Sequence, residues 1–131
     1  MNKNQQAYVF NKIMEVENTI VESGLETVQN YFSILTISFV ATASYHLNEY
    51  MIVNVLLTIR NSVVGANDSH IKTTGISSDR LQPIIEKIDS VVDDMITKFN
   101  ISETDPNERL IYDYVSEKMH IKRREEIRLI K

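Results

Sequence analysis

The chain is 131 residues long with a net charge of −4, the size of one domain that can bury a self-sufficient core. It contains no cysteine, which excludes a disulfide framework, a thiolate zinc site and a cysteine nucleophile. Its acidic balance also disfavours nonspecific nucleic-acid binding by the chain as a whole. With only three glycines and two prolines, the chain has few turn formers, which favours a small number of long helices.

The polar N-terminus, Met1 to Gln6, lacks the charged-then-apolar layout of a secretory signal, so a cytoplasmic protein is expected. Residues 4–22 read as a helix, because Val9, Ile13, Val16 and Ile20 recur at helical spacing. Gly24 is the candidate C-cap. From Thr27 to Ile59 the chain then carries a single formal charge, Glu49, and so reads as a buried centre or an oligomer interface. The serines, threonines and amides from Thr27 to Asn48 make it too polar to cross a membrane, and no membrane contact is expected.

This segment supports two readings. As a helix it aligns Val28, Phe32, Leu35, Phe39 and Ala43. As a strand it alternates Leu35, Ile37, Phe39, Ala41, Ala43, Tyr45 and Leu47 with mostly polar residues. Under either reading the small Ala41 and Ala43 permit close backbone approach, and Phe39, Ala41, Ala43 and Tyr45 are the expected interface residues. Residues 50–64 read as a helix with Ile52, Val55, Leu56, Ile59 and Val63 on one face.

The turn formers of Gly65 to Ser78 predict an internal loop. Leu81, Ile85, Ile88, Val92, Met95 and Phe99 then define the strongest helix, with Glu86, Asp89 and Asp93 assigned to its outer face. Asp105-Pro106-Asn107-Glu108 opens the last helix, whose inward residues are Leu110, Ile111, Tyr114 and Val115. The expected fold is an all-α, single-domain bundle of about five helices around the charge-poor central segment. The alternative is an α+β fold with a hairpin or small sheet within residues 31–60. Residues 117–131 form a basic helix end or tail.

Three polar patterns are candidates for chemistry. The first is Arg60-Asn61, followed by His70. An arginine and a polar neighbour on a helix, with a histidine after them, resembles the HEPN ribonuclease family. That resemblance implies an all-helical, dimeric, metal-independent ribonuclease with Arg60, Asn61 and His70 at a composite cleft. The histidine would act on the attacking 2′-hydroxyl and the arginine on the phosphate. The chain departs from the family's spacing of four to six residues, because residues 61–69 separate the pair. Apart from the resemblance, Arg60 reads as a helix-end cation and His70 as a loop residue.

The second pattern, Glu117-Lys118-Met119-His120, has the Glu-x-x-His spacing of carboxylate-bridged metal bundles but occurs once where such sites need it twice. No metal or other cofactor is expected. The third is the basic patch of Lys122, Arg123, Arg124 and Arg128, which suits a solvated helix end, an acidic partner or phosphates. No glycine-rich phosphate loop or nucleophile elbow is present. The leading expectation is therefore a small, soluble, self-associating protein-interaction module without catalysis. The alternatives are the ribonuclease or an inactive relative of it, and a nucleic-acid-binding regulator working through the basic C-terminus.

Overall fold

A computed structural model describes residues 3–26, 29–30, 32–33, 49–102, 105 and 107–130, with side chains described as far as His120. The described residues contain four long helices: α1 (Lys3–Ser23), α2 (Glu49–Thr74), α3 (Leu81–Lys98) and α4 (Arg109–Ile130). There is no strand among them, so the sheet alternative has no support, and residues 49–60 of its proposed span are helix. None of the described helices is long and apolar enough to cross a membrane.

α1 follows from its periodicity: Val9, Ile13, Val16 and Ile20 are all buried. Gly24 ends it with φ +70°, the left-handed conformation that glycine takes without a Cβ clash. In α3 the apolar stripe is likewise the buried one, from Ile84 and Ile85 through Met95. Its C-terminus uses a device that the sequence did not advertise. Asn100 adopts φ 50°, and the Ile101 N–H donates to the Ile96 carbonyl at 3.1 Å, closing a Schellman-type cap with buried Ile101 over the last turn.

The predicted Gly65–Ser78 loop is mostly helix, and this is the main correction to the sequence reading. α2 continues to Thr74 and stops at Gly75, whose φ is +82° and whose N–H donates to the Ile71 carbonyl at 2.7 Å. Asn67 explains why turn propensity loses here. Its side chain is buried, accepts the Ser78 N–H at 2.8 Å, and donates to Ser77 Oγ and Gln82 Oε1, both at 3.2 Å. An asparagine satisfied by tertiary partners no longer competes for its own backbone. Thr73 and Thr74 turn their hydroxyls back to the carbonyls of Ser69 and His70, so these side chains too are satisfied within the helix. The true connector is the short Gly75–Arg80 segment, closed by Ser78 Oγ, which accepts the Leu81 N–H at 3.2 Å.

Cross-helix pairs fix the directions. Arg60 meets Asp89 and Asn67 meets Gln82, a constant index sum that makes α2 and α3 antiparallel. Lys12–Asp94 and Tyr8–Phe99 make α1 and α3 antiparallel as well. Asn54–Glu108 and Arg60–Glu117 keep a near-constant index difference, so α4 runs parallel to α2. α3 packs against both α1 and α2, and α4 packs on α2. One core of aliphatics joins them, including Ile20, Ile52, Leu57, Ile84, Ile88 and Ile111, all essentially inaccessible to solvent. Burying a side chain of this size stabilises by about 1.5–3 kcal/mol.

The last helix begins later than the Asp105–Glu108 opening expected from the sequence, at Arg109. Asp105 Oδ1 accepts the Asn107 N–H at 2.9 Å and so shapes the turn before the helix. Glu108, whose carbonyl takes the Tyr112 N–H at 2.9 Å, begins the helical bonding. Pro106 lies outside the described residues.

Candidate functional site

An arginine in the middle of a charge-poor helical stretch must find an anion when its side chain is buried, because an unpaired buried charge is too costly. Arg60 is 7% exposed, and its partner comes from α3: Arg60 Nε donates to Asp89 Oδ1 at 2.6 Å. The other carboxylate oxygen, Asp89 Oδ2, accepts from Lys118 Nζ of α4 at 2.7 Å. One carboxylate thus ties three helices together. Around it, Arg60 Nη1 donates to Asn61 Oδ1 at 3.3 Å and lies 3.8 Å from the Glu117 carboxylate.

Tyr114 closes the cluster from α4. Its hydroxyl donates to Asp93 Oδ1 at 2.7 Å and to the Asp89 carbonyl at 3.3 Å. The Arg60 guanidinium lies 5.2 Å and the Lys118 ammonium 5.6 Å from the centre of its ring, both within cation–π range. Burial above all, then the bond to Asp93 and the negative charges of Asp89 and Asp93, raise the phenol pKa well beyond its usual range, outweighing the opposing pull of Arg60. Tyr114 therefore stays a neutral donor at every ordinary pH.

Chemically this arrangement is a fastener. Both oxygens of Asp89 are engaged by cations, the phenol is locked in its donor state, and the Arg60 side chain is enclosed beside its counter-ion. The sequence contained a signal for Asp89 that the outer-face assignment missed. Asp89 follows Ile85 by four residues and precedes Val92 by three, which places it within the apolar stripe. An acid in that position, on a helix packed against one carrying a lone arginine, is a counter-ion.

The other sequence candidates fall elsewhere. His70 is helical, and its Nδ1 lies 3.0 Å from the Ile76 carbonyl and 3.3 Å from Thr74 Oγ1. It lies ten positions along the same helix from Arg60, about 15 Å along the axis, so one chain does not bring the two together. Asn61 is exposed. Glu117 sits beside Arg60, whereas His120 faces an open depression with Tyr112, Ser116 and Met119. Among the described residues no three metal-ligating side chains converge. Phe39, Ala41, Ala43 and Tyr45 lie outside the described residues. Lys122, Arg123, Arg124 and Arg128 lie on the helical backbone of α4 beyond His120, where side chains are outside the description.

A second surface feature is a cleft of about 380 Å³ between α3 and α4, lined by Asp93, Ile96, Thr97, Tyr114, Val115, Lys118 and Met119. It is shallow and open, unlike an enclosed small-molecule pocket. Comparison with known families, characterised proteins and solved structures returns no match to this chain.

Proposed function

We propose that this chain is a small protein-interaction module that self-associates, binds a protein partner and performs no catalysis of its own. The observation that carries the reading is the outer face of α2. Between Glu49 and Asp68 the only formal charge on that helix is Arg60, which is buried. The exposed positions Met51, Thr58, Asn61, Ser62, Gly65 and Ala66 therefore offer an uncharged surface about 23 Å long. Interface cores are depleted in charge in the same way. The low charge of the preceding Thr27–Asn48 segment and the expected cytoplasmic setting fit this reading.

The test is sedimentation velocity of the full chain at micromolar concentration, where a dimer or larger species is expected. A clean monomer throughout that range removes self-association from the proposal. The ribonuclease alternative draws no support from the geometry, because Arg60 is held by Asp89 and His70 lies about 15 Å along the helix from it. It would require metal-independent RNA cleavage abolished by His70→Ala. The alternative of nucleic-acid binding through the basic end of α4 would require affinity that falls steeply with salt.

A further inference from the structure

We propose that the outer face of α2 is covered by the α2 helix of a second copy of this chain, running antiparallel across a two-fold axis at the level of residue 63. The proposal rests on the self-association reading and gives that same face its occupant and direction.

Met51, Val55, Thr58, Ser62, Gly65 and Ser69 follow one another at alternating spacings of four and three, which keeps them on one line of the helix, as in the seam of a paired coil. All but the half-buried Val55 are exposed. Polar groups on such a line are covered cheaply only if they are already bonded. Thr58 Oγ1 donates to the Asn54 carbonyl at 2.8 Å and Ser62 Oγ to the Thr58 carbonyl at 3.1 Å, so these hydroxyls carry their bonds with them into a contact. A Cβ at Gly65 would meet nothing within 4 Å, so the middle of the line is open to a second helix.

Charge at one edge of this face decides the occupant and its direction. Lys72 is exposed and, among the described residues, forms no ion pair. The Glu108 carboxylate of α4 takes its described hydrogen bond from a neutral group, Asn54 Nδ2, at 3.1 Å. Asn54 and Lys72 are eighteen residues apart, which is five full turns. Glu108 and Lys72 therefore mark the same edge of α2, about 27 Å apart.

In an antiparallel pair with the two-fold axis perpendicular to both helices, each edge meets the same edge of the other copy. An axis midway between Asn54 and Lys72, at residue 63, sets each Lys72 against the other copy's Glu108. The same axis centres the contact on Ser62, within the uncharged line. The edge is thus complementary to itself, which selects a second copy as the occupant. A parallel pair would leave each Lys72 about 27 Å along the axis from the other Glu108. The antiparallel contact is isologous and closed, so it gives a dimer.

The absence of cysteine from the chain makes the test clean. In the full-length protein, Ser62→Cys should be joined to its second copy by a short bis-maleimide. Thr73→Cys, whose two copies would lie about 30 Å apart along the axis, should remain uncrosslinked, whereas a parallel pair would join both variants. Ser62→Glu sets like charges together at the axis and should weaken self-association by at least about tenfold in sedimentation. Helical circular dichroism should be unchanged, because the position is exposed. Lys72→Glu and Glu108→Lys should each weaken the dimer severalfold, and the two combined should restore it. If the parent chain self-associates but Ser62→Glu does so equally well, Thr73→Cys crosslinks like Ser62→Cys, or the combined reversal restores nothing, this pairing is wrong and the self-association reading stands. If the parent chain is a monomer, both fall.

Discussion

α1 and α4 are both held against the α2–α3 hairpin, but by different chemistry. α1 presents four buried aliphatics, Val9, Ile13, Val16 and Ile20, and keeps its ion pairs at the rim, where Lys12 reaches Asp94 at 2.9 Å. α4 contributes buried Ile111 and Tyr114 and is then clasped by the Asp89 network. Hydrophobic attachment is strong but nondirectional. Paired charges add little net stability, but breaking one side of a buried pair is severe. The sequence therefore makes α1 adhesive and gives α4 a fixed register.

The contrast can be broken most directly at Asp89. Asp89→Ala leaves Arg60 enclosed without its main counter-ion and should cost about 3–5 kcal/mol in urea unfolding. The first amides to lose hydrogen-exchange protection should be those of α4. A loss under about 1 kcal/mol, at the level of an exposed pair, would mean that the network is no clasp.

Ile20→Ala should come next, at about 2–5 kcal/mol for a large core truncation. Here the loss of protection should begin in α1, and the destabilisation should be the same in low and high salt. A salt-dependent loss would show that the rim pairs matter more to α1 than its apolar face does.

The finest test is Tyr114→Phe, which removes a hydrogen bond to a carboxylate worth about 1.5–3 kcal/mol at neutral pH. The folded-state pKa of the phenol is raised above its ordinary 10.0. Its contribution is thus fully present below pH 10 and is lost as pH climbs towards the folded value. The parent chain should lose stability above pH 10 more steeply than the phenylalanine variant in melts across an alkaline series. Parallel alkaline profiles would show that Tyr114 is not the titrating group.

Where periodicity and burial agreed, the fold was legible in the sequence. α1 and α3 lie close to where their stripes put them, and Ile111 and Tyr114 face inward as expected. Local propensity failed where tertiary bonds overruled it, as at Asn67, whose three partners lie ten to fifteen residues away. At the candidate site, the need for a counter-ion to Arg60 could be read from its surroundings. Which acid would answer could not, because Asp89 joins Arg60 only once α2 and α3 are antiparallel in a particular register.

That antiparallel pairing also sets an order of assembly. The α2–α3 hairpin closes over the short Gly75–Arg80 connector, so its contacts involve little loop-closure entropy. α1 docks through groups as distant in sequence as Lys12 and Asp94, 82 residues apart. Long-range contacts of that kind slow folding, and a hairpin waiting for α1 exposes the apolar side of α3 to neighbouring chains. Refolding should therefore show the hairpin's helical signal before α1 is protected, and its yield should fall as protein concentration rises.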